Sequence, residues 1–186
     1  MDKLADRFNA LRITVEAMAG SHAVVVVAGG RERDGAGAVA RGLAQAFSET
    51  GARVGLVSSD PVRREHTAVT AVPLASVQAY AGVRLTERFA KLRADFDVVI
   101  VEIPALFERS FDSELARRCD GVVLAVEAGR RVTAHDNEIG VMLERLAVRR
   151  YGVVMTKPEL RYNAYTVAPG VPGRSSLVRR PSAQRI

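Results

Sequence analysis

A chain of 186 residues that is 48% hydrophobic can bury one good α/β core and needs no second domain. Its net charge of +6 is concentrated at one end, because five arginines and no acid follow position 160, which leaves the preceding part almost neutral. With no tryptophan and 5% aromatic residues there is little to stack bases on, which argues against nucleic acid as a partner of the folded part. The single cysteine, Cys119, excludes an intramolecular disulfide and favours a reducing compartment. The first residues carry acids and no apolar leader, and the longest apolar run, Ala23 to Gly30, is far short of the ~20 residues that span a bilayer, so a soluble cytoplasmic protein is expected.

In chain order, Leu4, Phe8, Leu11, Val15 and Met18 recur at alternating spacings of four and three, the stripe of an amphipathic helix. That stripe must be buried, either on the protein's own sheet or at a subunit contact; it is too short for a free coiled coil. Nearly unbroken apolar runs follow at Ala23–Ala28, Arg53–Ser58, Asp97–Ile103, Gly121–Val126 and Tyr151–Met155, each the pattern of a strand covered on both faces. Between them lie helical patterns at Gly37–Thr50, Val83–Ala94 and Val132–Ala147, with apolar residues on one side. The segment His66–Tyr80 is ambiguous and holds at most a short strand at Ala68–Val72. Strands alternating with helices predict an α/β protein, a mostly parallel sheet with helices on both faces in a single domain. Residues 159–186, rich in proline, glycine, serine and arginine, read as a basic tail without a packed core. The expected organisation is thus an N-terminal amphipathic helix over 1–20, the α/β domain over 21–158 and the tail over 159–186.

Between the first apolar run and the helix after it stands Gly29-Gly30-Arg31-Glu32-Arg33-Asp34-Gly35-Ala36-Gly37. Against the phosphate-binding pattern G-x-x-x-x-G-K-[ST], Gly30 and Gly35 occupy the glycine positions, and the fold expected is P-loop-NTPase-like. Ala36 stands where the lysine belongs and Gly37 where the hydroxyl residue belongs. The lysine reaches the β and γ phosphates and the hydroxyl holds Mg²⁺, so the framework predicts a nucleotide while the side chains speak against one.

Four ordered segments extend this match. Gly42-Leu43-Ala44 follows the loop; Val54 to Ser58 leads into Ser59-Asp60 with Arg63 and Arg64 beyond; Asp97 to Ile103 carries Glu102 ahead of Pro104; Gly152-Val153-Val154-Met155 ends at Thr156. On these segments the chain, from about residue 5 to 157, resembles the cytoplasmic ATPase domain of bacterial tyrosine kinases that partner membrane polysaccharide co-polymerases in capsule and exopolysaccharide export. It is more distantly similar to septum-site and chromosome-partitioning ATPases of the same class. The resemblance places Gly42-Leu43-Ala44 on an Asn-Leu-Ala segment and so fixes Ala36 at the lysine position without a gap. It implies that Ser58 replaces the first aspartate of an Asp-x-Asp motif while Asp60 retains the second, that Glu102 takes the aspartate of Asp-Thr-Pro-Pro, and that Thr156 takes an adenine-contacting asparagine. Asp60 and Glu102 are then the candidates for holding Mg²⁺. Asp6, Asn9 and Arg12 fall on a Glu-x-x-Arg-x-x-Arg oligomerisation motif, which implies a homo-oligomer, with one of its three groups kept. Tyr162 and Tyr165 stand where such kinases carry a tail cluster that is phosphorylated; here a separate, active kinase would modify them.

The substitutions have a cost. A hydrogen bond to a charged group contributes ~1.5–3 kcal/mol, so loss of the lysine lowers ATP affinity by roughly one to two orders of magnitude, leaving weak ATP or ADP binding through loop amides. Losing one preorganised donor typically costs on the order of 10²–10³ in rate, and here the Mg²⁺ hydroxyl and the first aspartate are missing as well. No catalytic residue, metal or resident cofactor is therefore expected. Arg31 and Arg33 are the loop cations that would reach a phosphate if one bound. Thr156-Lys157-Pro158-Glu159 also resembles a guanine-reading Thr-Lys-x-Asp motif. The three histidines have no metal-ligand spacing, and Asp112, Glu114 and Asp120 read as surface carboxylates.

The expected function is that of a catalytically inactive kinase-like or ATPase-like regulator or scaffold in exopolysaccharide biosynthesis or export. Its partner would be a membrane polysaccharide co-polymerase or an active kinase homologue, which would bring it to the inner face of the membrane; the basic tail is a second route to that surface. Two alternatives stay open: a residual ATP or GTP switch with little hydrolysis, and a partitioning or positioning ATPase-like protein.

Overall fold

The computed structural model describes residues 3–58, 69–82 and 84–157. Along the chain run α1 (Lys3–Ala19), β1 (Ala23–Gly29), α2 (Ala36–Ser48), β2 (Val54–Ser58), β3 (Val69–Pro73), α3 (Ala75–Gln78), α4 (Arg84–Asp95), β4 (Val98–Ile103), α5 (Ser110–Arg118), β5 (Gly121–Glu127), α6 (Ala134–Arg145) and β6 (Arg150–Thr156). Among the described residues six strands form one sheet in the order β3-β2-β4-β1-β5-β6, and every neighbouring pair is parallel. The short strand expected at Ala68–Val72 is β3, an edge strand whose Val72 alone is buried.

Because strand side chains alternate, β1 sends Val24, Val26 and Ala28 to one core and Val25 and Val27 to the other. The first core is closed by Val77 of α3, Leu85, Phe89 and Leu92 of α4, Leu115 of α5, and Ile139 and Leu143 of α6. The second is closed by Val39, Leu43 and Phe47 of α2 and by Val15 of α1. This two-sided burial is why the strands read as unbroken apolar runs. Each fully buried valine or leucine contributes about 1.5–3 kcal/mol relative to an exposed one.

The α1 stripe docks within the chain. Phe8 and Leu11 pack partly, and Val15 fully, against the core beneath α2. Contact is close because Gly42 faces Phe8: a Cβ at position 42 would clash with the tip of the ring. The ends of the stripe, Leu4 and Met18, stay 57% and 43% exposed, so only its middle is used.

One element departs from the expectation. The stretch after β4 contains α5, and Asp112 in its first turn is buried instead of lying on the surface. Its Oδ2 accepts the Arg109 N–H at 3.0 Å, and burial pushes its carboxyl up. Asp120 is committed too, accepting the Val24 N–H and the Arg93 guanidinium, each at 2.7 Å. Glu114 fits the surface reading more nearly, paired with Arg118 at 3.0 Å. Among the described residues no helix is long and apolar enough to cross a membrane.

Candidate functional site

β1 lies between β4 and β5 at the centre of the sheet, and the chain leaves β1 for α2 on one face but leaves β4 for α5 on the other. The carboxyl ends of β1 and β4 therefore open a crevice where the strand order reverses, the place where ligands bind in open α/β sheets. The loop 30–35 lies at that crevice. Its entry is fixed by Gly30 N–H on the Ala125 carbonyl (3.3 Å) and by Leu106 N–H on the Gly29 carbonyl (2.9 Å). Its exit is fixed by Gly35, whose φ of 85° is left-handed and starts α2. Thr156 flanks that turn, and its hydroxyl donates to the Asp34 carbonyl at 2.7 Å.

The loop is closed around its own carboxylate. Asp34 is 1% exposed. Its Oδ2 accepts the Arg31 N–H (3.1 Å) and Arg130 Nη2 (3.0 Å), while Oδ1 accepts Arg130 Nε (3.1 Å) and the Glu127 N–H (3.3 Å). Arg130 also spans both oxygens of Asp136, at 2.7 and 2.6 Å. Asp136 in turn caps α6 by accepting the N–H and hydroxyl of Thr133, at 2.7 and 2.9 Å. The Arg130 guanidinium holds the Asp136 carboxyl well below the usual carboxylate range, and the two aspartates hold Arg130 firmly in its charged form.

On the other side of the loop, Ala36 and Gly37 begin α2 above the ends of β2 and β4. Leu56 of β2 pairs with Ile100 of β4, and both belong to the core on the α2 face; by strand alternation Ser58 and Glu102 point to that same face. Both are buried, and the Ser58 hydroxyl donates to Glu102 Oε2. Glu102 Oε1 lies 2.6 Å from where a Cβ on Gly37 would be, with Arg41 Nη1 3.3 Å from the same point. The carboxylate thus occupies the space that a side chain at position 37 would need.

Gly30, Gly35, Ala36, Gly37, Glu102 and Thr156 lie around the loop and the start of α2. Arg31 turns away to α6, where its Nη2 donates to Thr133 Oγ1 at 2.7 Å and lies 3.5 Å from Asp136. The Arg33 side chain is exposed, while its carbonyl accepts Lys157 Nζ at 2.8 Å. Thr156 and Lys157 of the guanine-reading match are thereby both spent on the loop backbone. Asp60, Tyr162 and Tyr165 lie outside the described residues. Asp6, Asn9 and Arg12 lie on α1, with Asp6 exposed and Arg12 paired to Glu16 at 2.6 Å. Among the described residues no group of three or more His, Cys, Asp or Glu side chains is placed to hold a metal. The residues that sequence reasoning missed are Asp34, Arg130, Thr133 and Asp136. The spacing Thr133-x-x-Asp136 is a capping signal that would have located the last two.

No described protein family and no curated protein matches the sequence. Among solved structures the likeness is one of overall fold, at identities below 20%, and the fold is shared with bacterial tyrosine kinase domains and with an ADP-binding synthase. The kinase domain of Escherichia coli tyrosine kinase ETK is 16% identical with a TM-score of 0.62, the match covering 87% of this chain and 80% of that one. The BceF tyrosine kinase domain is 16% identical with a TM-score of 0.65, covering 83% and 76%. Cobyrinic acid a,c-diamide synthase from Mycobacterium smegmatis, with bound ADP and magnesium, is 19% identical with a TM-score of 0.60, covering 75% and 76%.

Proposed function

We propose that this chain is a kinase-like protein without phosphotransfer activity that acts as a regulator or scaffold in bacterial exopolysaccharide biosynthesis or export. Its partner would be a membrane polysaccharide co-polymerase or an active kinase homologue. The observation that carries the reading is that a whole tyrosine-kinase-like fold keeps its loop while Ala36 and Gly37 stand at the two positions that handle phosphate and Mg²⁺. A methyl group and a hydrogen cannot neutralise a developing phosphoryl charge, and such groups act as a unit, so partial retention elsewhere does not rescue the rate. Recruitment to the membrane would come from the partner or the basic tail.

A second reading, a residual nucleotide switch, is supported by the same fold holding ADP and magnesium in the Mycobacterium smegmatis synthase. It differs in predicting nucleotide-dependent association of the chain with itself or a partner.

Crosslinking in the native host followed by mass spectrometry is the test. Recovery of a co-polymerase or tyrosine kinase, with no phosphotyrosine formed by the purified chain in Mg²⁺-ATP, is expected. Phosphotyrosine formation by the purified chain, or recovery of chromosome-partitioning proteins instead, contradicts the proposal.

A further inference from the structure

Mg²⁺-bound nucleotide is the group that this fold implies for the crevice, and the residues present do not fit it. Mg²⁺ demands near-ideal octahedral oxygen ligands at about 2.0–2.1 Å and gives up geometry reluctantly. A hydroxyl ligand at position 37 requires the Glu102 carboxylate to leave its buried pair with Ser58, because Oε1 is 2.6 Å from the Cβ that would carry it. Glu102 is itself committed, with Oε2 accepting the Ser58 hydroxyl in a buried pair. On the far side of the loop the Arg31 N–H, a group of the kind that cradles phosphate in such loops, is already spent on Asp34 at 3.1 Å.

We infer that Gly37, Glu102 and Ser58 form one closed structural unit that takes the place of the metal site, and that this unit, together with the missing lysine, keeps Mg²⁺-nucleotide out. The three residues fit one another by volume. The side chain absent at Gly37 is the space into which the longer carboxylate of Glu102 extends, and the hydroxyl of Ser58 satisfies that carboxylate from the neighbouring strand. Each is unexplained as an isolated loss and explained as part of the set. The second lock, Asp34 with Arg130 and Asp136, ties the loop to the start of α6 by charge-assisted hydrogen bonds that need no ligand. The loop is therefore liganded from within on both sides. This goes beyond the scaffold reading and is independent of it, since failure to capture a co-polymerase leaves the site's chemistry unchanged.

The consequence is that restoring the loop motif alone does not restore binding. Calorimetric titration with Mg²⁺-ADP compares the natural chain, Ala36→Lys/Gly37→Thr, and the same double variant with Ser58→Asp and Glu102→Asp added, each checked for a cooperative melt. The natural chain and the double variant are expected to show no saturable binding at millimolar nucleotide, and the quadruple variant to bind at least about tenfold more tightly than the double, as a recovered charge-assisted contact would give. A triple variant, Ala36→Lys/Gly37→Thr/Glu102→Ala, removes the obstruction with less disturbance and is expected to gain affinity over the double should the quadruple fail to fold. Saturable binding by the natural chain, or equal affinity of the double and the refitted variants, overturns the inference. So does a refitted variant that folds and gains nothing.

Discussion

Asp136 carries the charge that closes the loop from outside. Arg130 meets both of its oxygens, and fork-to-fork pairs of this kind are the strong members of their class. Its pKa is depressed in the fold, so the stabilisation it supplies is fully present above the unfolded value near 3.8 and is lost as pH falls toward the lower folded value. Asp97 behaves alike on the exposed surface, where Arg53 holds it down to about 2. Melting temperature is therefore expected to fall as pH drops below about 4, chiefly through Asp136, since an exposed pair such as Arg53–Asp97 contributes little. Asp136→Asn should lower stability at neutral pH and flatten part of that acid slope, as circular dichroism melts across the acid range would show; an unchanged slope contradicts the assignment. At this scale the loop's glycines, Ala36, Gly37 and Glu102 were legible because they sit within contiguous segments of fixed spacing. Asp34 with Arg130 was not, since the two are brought together from different ends of the domain and each reads alone as an ordinary solvated charge. Ser58 was legible as a replacement but not as a donor, because its acceptor lies on a different strand.

At the scale of elements, α1 and α2 meet through Phe8 over Gly42. An exposed helical glycine replaced by alanine would gain about 1 kcal/mol in helix propensity, but an added methyl in a packed contact costs about 1–3 kcal/mol. Here the second effect wins, because the new Cβ would clash with the tip of the Phe8 ring, which is packed against the core and must be displaced. Gly42→Ala should thus reduce stability to urea; an increase would show that α1 does not seat as described. The helix was legible from its stripe, and α2, α4 and α6 from theirs. α5 was not, because its only fully buried apolar side chains are Leu115 and Ala116, which leaves no periodic signal. A buried aspartate in its first turn further disguised it as surface.

For the whole molecule, the parallel sheet was legible because both faces are covered, so that each central strand announces itself as an unbroken apolar run. The site was legible only as a set of departures from a pattern. What those departures build, a loop satisfied by its own side chains, depends on pairings between β2 and β4 and between the loop and α6 that spacing along the chain does not encode. The central claim is the inference that the closed loop keeps Mg²⁺-nucleotide out of the crevice. A ligand at 100 times its Kd raises stability by about 2.7 kcal/mol, which is several degrees in the melt of a domain this size. The most direct test is the melting temperature of the natural chain with and without millimolar Mg²⁺-ATP. The account predicts coincident melts, and a reproducible, concentration-dependent rise would contradict it.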